Sequence, residues 1–447
     1  MIRQIWIERT MGAWRRLRRS VAPLCAITVL TVGVSGCAID RLLDASESVE
    51  GAELDPSMVA NREGAIRVHR SVMTSMAAAF ADVSYHSAMF TDELSTTTNG
   101  PVNVDARSAR EGEGVQSSAY EKLHNTRVRA SQVVTLLRRF GSAQDSALVG
   151  EAYALEAQSI VFLGELFCSG IPLTRVPFDG GLQYTAGMTT TQLFETAVAL
   201  FDTAYMFGKD SAAIATLAKI GKGRALMNLQ RYAEARIAVQ DVETSALYTI
   251  RYAAGTGGVT FWPSATVNGL VDVANDEGGS GLDWAAVPPA VQDPRVPLSS
   301  VSPRRQQKFP NVTPTVALMK GAEARMIEAE ALLQPADAPA GDWLAPLNAA
   351  RATLSLDALT DPGTAEGRID LLFRERAFWF FLEGHRLGDY RRLVRQYNRL
   401  PTTVYATGPY VRATWYIAAY GTEYVFVPPA AEEDRNPLYR GCFDRRP

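Results

Sequence analysis

Apolar side chains recur every three or four residues along most of this chain, the signature of helices that each bury one face. Over residues 62–94 the positions Ile66, Val68, Val72, Met73, Met76, Ala79, Phe80 and Val83 follow that repeat, and the polar run Ser95-Thr96-Thr97-Thr98-Asn99-Gly100-Pro101 breaks it. The same period predicts helices over 116–140 (Tyr120, Leu123, Val128, Val133, Leu136, Leu137) and over 145–168 (Leu148, Leu155, Ile160, Leu163, Phe167), the latter stopping at Ser169-Gly170-Ile171-Pro172. Another begins at Thr191, and a further pair is expected from Val316 to Leu332 and from Asp342 to Leu354. Near the C-terminus, Ile369, Leu372, Phe373, Phe380, Phe381 and Leu387 predict one long helix through Arg392. Along it Glu383, Arg386, Asp389 and Arg392 stand three apart with alternating sign, after Glu375 and Arg376, which predicts a self-satisfied ion-pair ladder on one stripe.

The segment from Ile214 to Val242 carries a repeat signal. Small residues in Ala218-Lys219-Ile220-Gly221-Lys222-Gly223-Arg224-Ala225 precede a polar turn and Tyr232-Ala233-Glu234-Ala235, as in a tetratricopeptide helix pair; an ordinary helical hairpin is the alternative. Two stretches escape the helical period, about 250–312 and 397–426. Both mix Gly and Pro with aromatics and polar residues, and long irregular segments in a compact domain are often functional. Sugar rings offer apolar faces that stack on aromatic rings, while their hydroxyls need polar partners. Trp262, Trp284, Tyr410, Trp415 and Tyr416 are therefore candidate stacking platforms exposed by these loops, with Asn268, Asp272 and Asn275 as hydrogen-bonding partners. The run Asp272 to Gly279 hints at a calcium loop, but its spacing departs from the twelve-residue pattern.

A reaction centre is also conceivable on the late helix, with Glu375, Glu383 and His385 as acid, base and shuttle. Eight residues of helix separate those carboxylates by roughly 12 Å, farther than a glycosidase pair stands. The structural reading of the stripe is preferred, and no catalytic residue is assigned.

Charge and cysteines narrow the picture. The chain has 447 residues and a formal net charge of −3, with no basic stripe and hence no reason to expect nucleic acid. Arg15, Arg16, Arg18 and Arg19 precede an apolar segment, Val21 to Val34, and then Val34-Ser35-Gly36-Cys37. This predicts a secretory signal over 1–36, starting at Met1 or Met11. The small residues before Cys37 resemble a bacterial lipobox, which implies cleavage before Cys37 and its lipidation, a plain signal peptide being the alternative. An acidic tether over 37–60 follows, leading to a single domain over 61–447. Cys168 and Cys442 are left in an oxidising compartment, where they are free to pair and tie the C-terminal tail to the early helices. The absence of a Cys/His cluster gives no reason to expect a metal, and no cofactor is expected.

Taken together, Glu375-Arg376, Glu383-Gly384-His385-Arg386 and Asp389 to Arg392, the Ala322–Ala331 helix with Asn348 and Arg351, Asp293-Pro294-Arg295, Gly170-Ile171-Pro172-Leu173, and Pro428-Pro429 with Glu432 and Asn436-Pro437 resemble the SusD/RagB family. The resemblance covers essentially the whole mature chain. It departs at Trp379, where a glutamate is common, and at Gly388, where an aromatic is usual. It implies an all-α fold of four tetratricopeptide-like units with a large loop-rich ligand-binding half. It also implies a non-enzymatic, lipid-anchored, surface-exposed outer-membrane protein. Such a protein would capture oligosaccharides, or peptides or other oligomers, for a SusC-like TonB-dependent transporter barrel. A helical glycoside hydrolase is the remaining alternative.

Overall fold

The computed structural model describes residues 59–97, 101–108, 114–178, 180–252, 269–275, 277–279, 281–284, 293–300, 304–309, 315–412 and 417–446. The signal segment, Cys37, nearly all of the tether, Trp262, Asn268, Trp415 and Tyr416 lie outside these residues. In chain order come α1 (Arg62–Phe90), β1 (Leu94–Thr96), α2 (Val102–Asp105), α3 (Gly114–Phe140), α4 (Ser146–Leu166), β2 (Ile171–Pro172), β3 (Gly187–Met188), α5 (Thr190–Gly208), α6 (Ala212–Asn228) and α7 (Tyr232–Val239). Then follow β4 (Leu247–Arg251), β5 (Val271–Val273), β6 (Thr315–Lys320), α8 (Gly321–Leu332), α9 (Leu344–Ala352), α10 (Ala365–Trp379), α11 (Arg386–Tyr397), α12 (Pro401–Val404) and α13 (Ala430–Arg435).

The helices stack in order of sequence. α1 packs on α3, α3 on α4, α4 on α5, and so on through α6, α7, α8 and α9, the nearest-neighbour packing of a helical repeat. α1 shows why its sequence folds this way. Asn61 caps it by accepting from the Gly64 N–H at 2.8 Å, and Val68, Val72, Met76, Phe80 and Val83 form a buried ridge. Ala77, Ala78, Ala79 and Ala81 are buried as well, so neighbours approach this helix on several sides. α5 opens with a capping box between Thr189 and Gln192.

Two sequence expectations are corrected here. Residues 316–320 are not helix but, with Thr315, form β6, which pairs antiparallel with β4, Leu247 opposite Lys320. Val316 and Leu318 alternate inward, and a partner strand with buried Tyr248 and Ile250 outweighs the helical spacing of so short a run. The late helix is two helices, α10 and α11, separated by a turn in which Leu382 (φ 56°) and Gly384 (φ 71°) are left-handed. A Cβ on Gly384 would come within 2.6 Å of Val83 Cγ1, so both backbone angle and packing demand glycine. The less favourable angle at Leu382 is held by its N–H, which donates to Glu93 Oε1 at 2.8 Å. α10 packs on α8, and α11 returns against α1 and α4.

Cys168 and Cys442 form a disulfide across a sequence separation of 274 residues. It reinforces a tail already stitched down by backbone bonds from Cys168 N–H to Phe426 C=O (2.9 Å) and from Phe443 N–H to Ser169 C=O (2.7 Å). Closing so long a loop restricts the unfolded chain, so Cys442→Ser is expected to lose about 2–4 kcal/mol. Urea denaturation under non-reducing conditions measures the loss, and an unchanged midpoint would show the backbone stitching suffices.

Candidate ligand groove and the ion-pair clamp beneath it

Glu375, Arg376, Glu383, Arg386, Asp389 and Arg392 are buried, and the sequence reading of how they pair is wrong in detail. Once the helix breaks at 380–385, Glu383, Arg386, Asp389 and Arg392 no longer form one ladder. Instead they reach across the fold. Glu383 meets Lys308 Nζ at 2.6 Å and Lys320 Nζ at 2.7 Å. Arg386 forks onto Asp92 at the end of α1, Nε to Oδ1 at 2.6 Å and Nη2 to Oδ2 at 2.8 Å. Arg392 pairs with Glu330 of α8. Arg376 bonds Asp389 across the turn, its Nε 2.9 Å from both carboxylate oxygens. Glu375 accepts from Arg295 at 2.6 Å and from Arg351 at 2.8 Å. The stripe thus ties six distant segments to one helix–turn–helix.

These contacts decide what the cluster can do chemically. Burial alone would raise Glu383, but Lys308 and Lys320 more than offset it and hold the carboxyl below its ordinary range. His385 is pushed well below its ordinary value by burial and then by Arg224 and Arg376. It is therefore a neutral ring whose Nε2 accepts from Arg224 Nη1 at 2.9 Å, with Nδ1 3.0 Å from the Glu383 carbonyl. Glu375 and Glu383 are both buried and each is claimed by two cations. That is a device for holding shape, not for exchanging protons with a substrate.

An open groove runs beside it. One cavity of about 400 Å³ is walled by Leu282, Asp283, Trp284, Arg304, Arg374 and Phe378 among others. A second, of about 390 Å³, shares Leu282 and Arg374 and adds Asp370, Arg399 and Thr403. The exposed edge of α10 forms the common wall, and the chain on either side of Trp284 belongs to the irregular 250–312 stretch. The segment is held by Asp92, whose Oδ2 accepts from Leu282 N–H at 2.7 Å. Clamp and groove therefore share a residue.

Of the candidate ligand residues, Trp284 lines the groove, but it is not the exposed platform expected from sequence. It is 3% exposed, its ring 5.1 Å from Phe378 and 4.9 Å from Phe381, because loop and scaffold pack on it from both sides. Its indole N–H is buried without a partner among the described residues. Tyr410 is also buried rather than exposed. Its hydroxyl donates to Asp105 Oδ2 at 2.8 Å and lies 3.2 Å from the Thr96 hydroxyl. Asp272 sits on β5 opposite Ser95 of β1, with Arg412 at 3.8 Å and Arg305 at 4.0 Å. The structure brings Asp272 and Tyr410 to the same β1–β5 ribbon and leaves Trp284 on the groove. Beside them Glu277 takes a hydrogen bond from Tyr420, and burial, then the charge of Asp105, pushes it up to about 7. Arg374 and Phe378 were missed, although their i, i+4 spacing on α10 is visible, because an exposed arginine beside an aromatic is common on helices. The guanidinium of Arg374 lies 4.9 Å from the Phe378 ring.

No family model and no curated protein sequence matches the chain. Solved structures do. A SusD-like carbohydrate binding protein from Bacteroides vulgatus superposes with a TM-score of 0.63 over 85% of this chain and 97% of its own, at 12% identity. A SusD-like protein from Bacteroides fragilis gives 0.63 over 87% and 98%, at 11% identity. A laminarin binding SusD-like protein gives 0.60 over 86% and 99%, at 14% identity.

Proposed function

We propose, from the premise that this chain has the SusD-like fold, that it is a surface lipoprotein capturing oligosaccharides in the groove along α10. The observation that carries the reading is the groove's mixed wall. Phe378 and the edge of Trp284 offer apolar surface, while Asp283, Arg304 and Arg374 supply polar groups of the planar kind that sugar hydroxyls accept. Fold neighbours described as carbohydrate binding and laminarin binding support the same ligand class. Delivery to a SusC-like TonB-dependent barrel, and anchoring in the outer membrane through a lipidated Cys37, complete the proposal. Catalysis has no part in it, in keeping with the locked state of Glu375 and Glu383.

Binding to an oligosaccharide panel, beside a peptide panel, tests the ligand class: saturable glycan binding without turnover is expected, and capture of peptides alone would replace sugar by peptide. Arg374→Ala is expected to weaken oligosaccharide binding about tenfold, the worth of one charge-assisted hydrogen bond. Its thermal midpoint should hardly move, because the side chain is exposed. Pull-down from membranes in mild detergent tests delivery, and recovery without any TonB-dependent barrel would refute that part.

A further inference from the structure

Arg374 is exposed on α10 and, with Leu282, is the wall that the two groove cavities have in common. Its guanidinium carbon stands 4.9 Å from the centre of the Phe378 ring, and the same ring meets the guanidinium of Arg295 at 5.0 Å. The two arginines differ in what balances them. Arg295 is buried and held by Asp293 at 2.7 Å and Glu375 at 2.6 Å. Arg374 makes no hydrogen bond or ion pair among the described residues; its contact is the ring. Its charge therefore stands open on the groove, and the attraction of a cation to an aromatic ring keeps it there.

The other charges around the two cavities are already met. Asp293 is taken by Arg295, and Asp370 by Arg399 at 2.8 Å. Arg399 also pairs with Glu366, and Arg386 is forked onto Asp92. Asp283 and Arg304 have interactions of their own. Each cavity, about 400 and 390 Å³, falls in the range of roughly 300–1,000 Å³ usual for small-ligand clefts. A chain that fills both passes the Arg374 guanidinium. A neutral hydroxyl accepts one hydrogen bond there, whereas an anionic pair of oxygens matches both the charge and the two parallel N–H groups of the fork.

We infer that the oligosaccharide taken by this groove is acidic, a sugar chain bearing a carboxylate or a sulfate ester that Arg374 receives where the two cavities meet. The inference rests on the sugar-capture reading above and narrows it to a substrate class. Arg374 is then the residue that sets specificity, while the apolar faces of the rings on either side lie against Phe378 and Leu282. A carboxylate and a sulfate ester offer the fork the same pair of anionic oxygens, so each has its own arm in the test.

Titration calorimetry of the purified protein with pairs of oligosaccharides that differ only in the acid tests this. The pairs are oligogalacturonate beside its methyl ester, and a sulfated galactan oligosaccharide beside its desulfated form. In at least one pair the charged member should bind tighter by about tenfold or more, the range of a charge-assisted hydrogen bond. Arg374→Gln should make the two members of that pair bind alike, and Arg374→Glu should reverse the preference. Both variants should keep the thermal midpoint of the unmodified protein, because the side chain is exposed. Equal binding of charged and neutral members, binding of neutral sugars only, or a preference that survives in both variants overturns the inference and leaves sugar capture standing. Failure of every member of the pairs and of the wider oligosaccharide panel to bind removes the sugar-capture reading, and the inference with it.

Discussion

Arg386→Met is expected to destabilise the protein by about 3–5 kcal/mol, the loss seen when one partner of a buried ion pair is removed. Both hydrogen bonds of the Arg386 fork end on Asp92, which is 1% exposed. In the variant that carboxylate keeps neutral donors, the Leu282 N–H and the Tyr390 hydroxyl, and must stay buried with its charge uncompensated. Urea unfolding followed by circular dichroism measures the effect. The double variant Asp92→Asn, Arg386→Met should recover much of it, because the cost lies in the stranded charge more than in the lost pair. Because Asp92 also holds Leu282, amide exchange at 281–284 should quicken in the single variant. A loss under about 1 kcal/mol would refute a clamp at this position, since that is the range of an exposed pair.

Glu383→Gln is expected to cost about as much near neutral pH, and its pH dependence identifies the cause. The folded protein holds the Glu383 carboxyl below its ordinary value of 4.5. Such a group contributes stability that is complete above the unfolded value and is lost as pH falls through the depressed folded value. The difference in stability between unmodified protein and variant should therefore be largest near pH 7 and shrink below about pH 4. Lys308 limits the loss: burial already brings it down to about 8, with Glu383 acting in the opposite sense, so without the carboxylate it can shed its proton. Stability measured from pH 3 to 8 in both proteins is the check, and parallel curves would refute the ion-pair origin. A helical glycoside hydrolase relying on Glu383 would behave differently, keeping its fold and losing hydrolysis.

Much of this molecule is written locally. The helices at 62–90, 114–140, 146–166 and 190–208 follow from apolar spacing and from caps such as Asn61 and Thr189, because a helix of that length needs only its own period and a face to bury. The hairpin of α6 and α7 follows from small residues around a polar turn. The importance of Glu375, Arg376, Glu383, Arg386, Asp389 and Arg392 is equally legible, since so many charges among aromatics are stable only when paired.

Their partners are not legible. Asp92, Lys308, Lys320, Glu330 and Arg295 stand far away in sequence, and a helical stripe of alternating sign suggests neighbours on the same helix. The break at Leu382 and Gly384 redirects Glu383, Arg386, Asp389 and Arg392. It is decided by a contact with Val83 and a hydrogen bond from Leu382 N–H to Glu93, about 300 residues back along the chain. The candidate site divides in the same way. Sequence pointed to aromatics in irregular segments, since composition marks loops. Whether a tryptophan stacks on a ligand or on Phe378 and Phe381 depends on what other elements bring to the same place. Local pattern determined the helices and the residues that must be buried as ions; tertiary packing alone decided which charges meet, which aromatics are covered and where the groove opens, because those are properties of pairs remote in the chain.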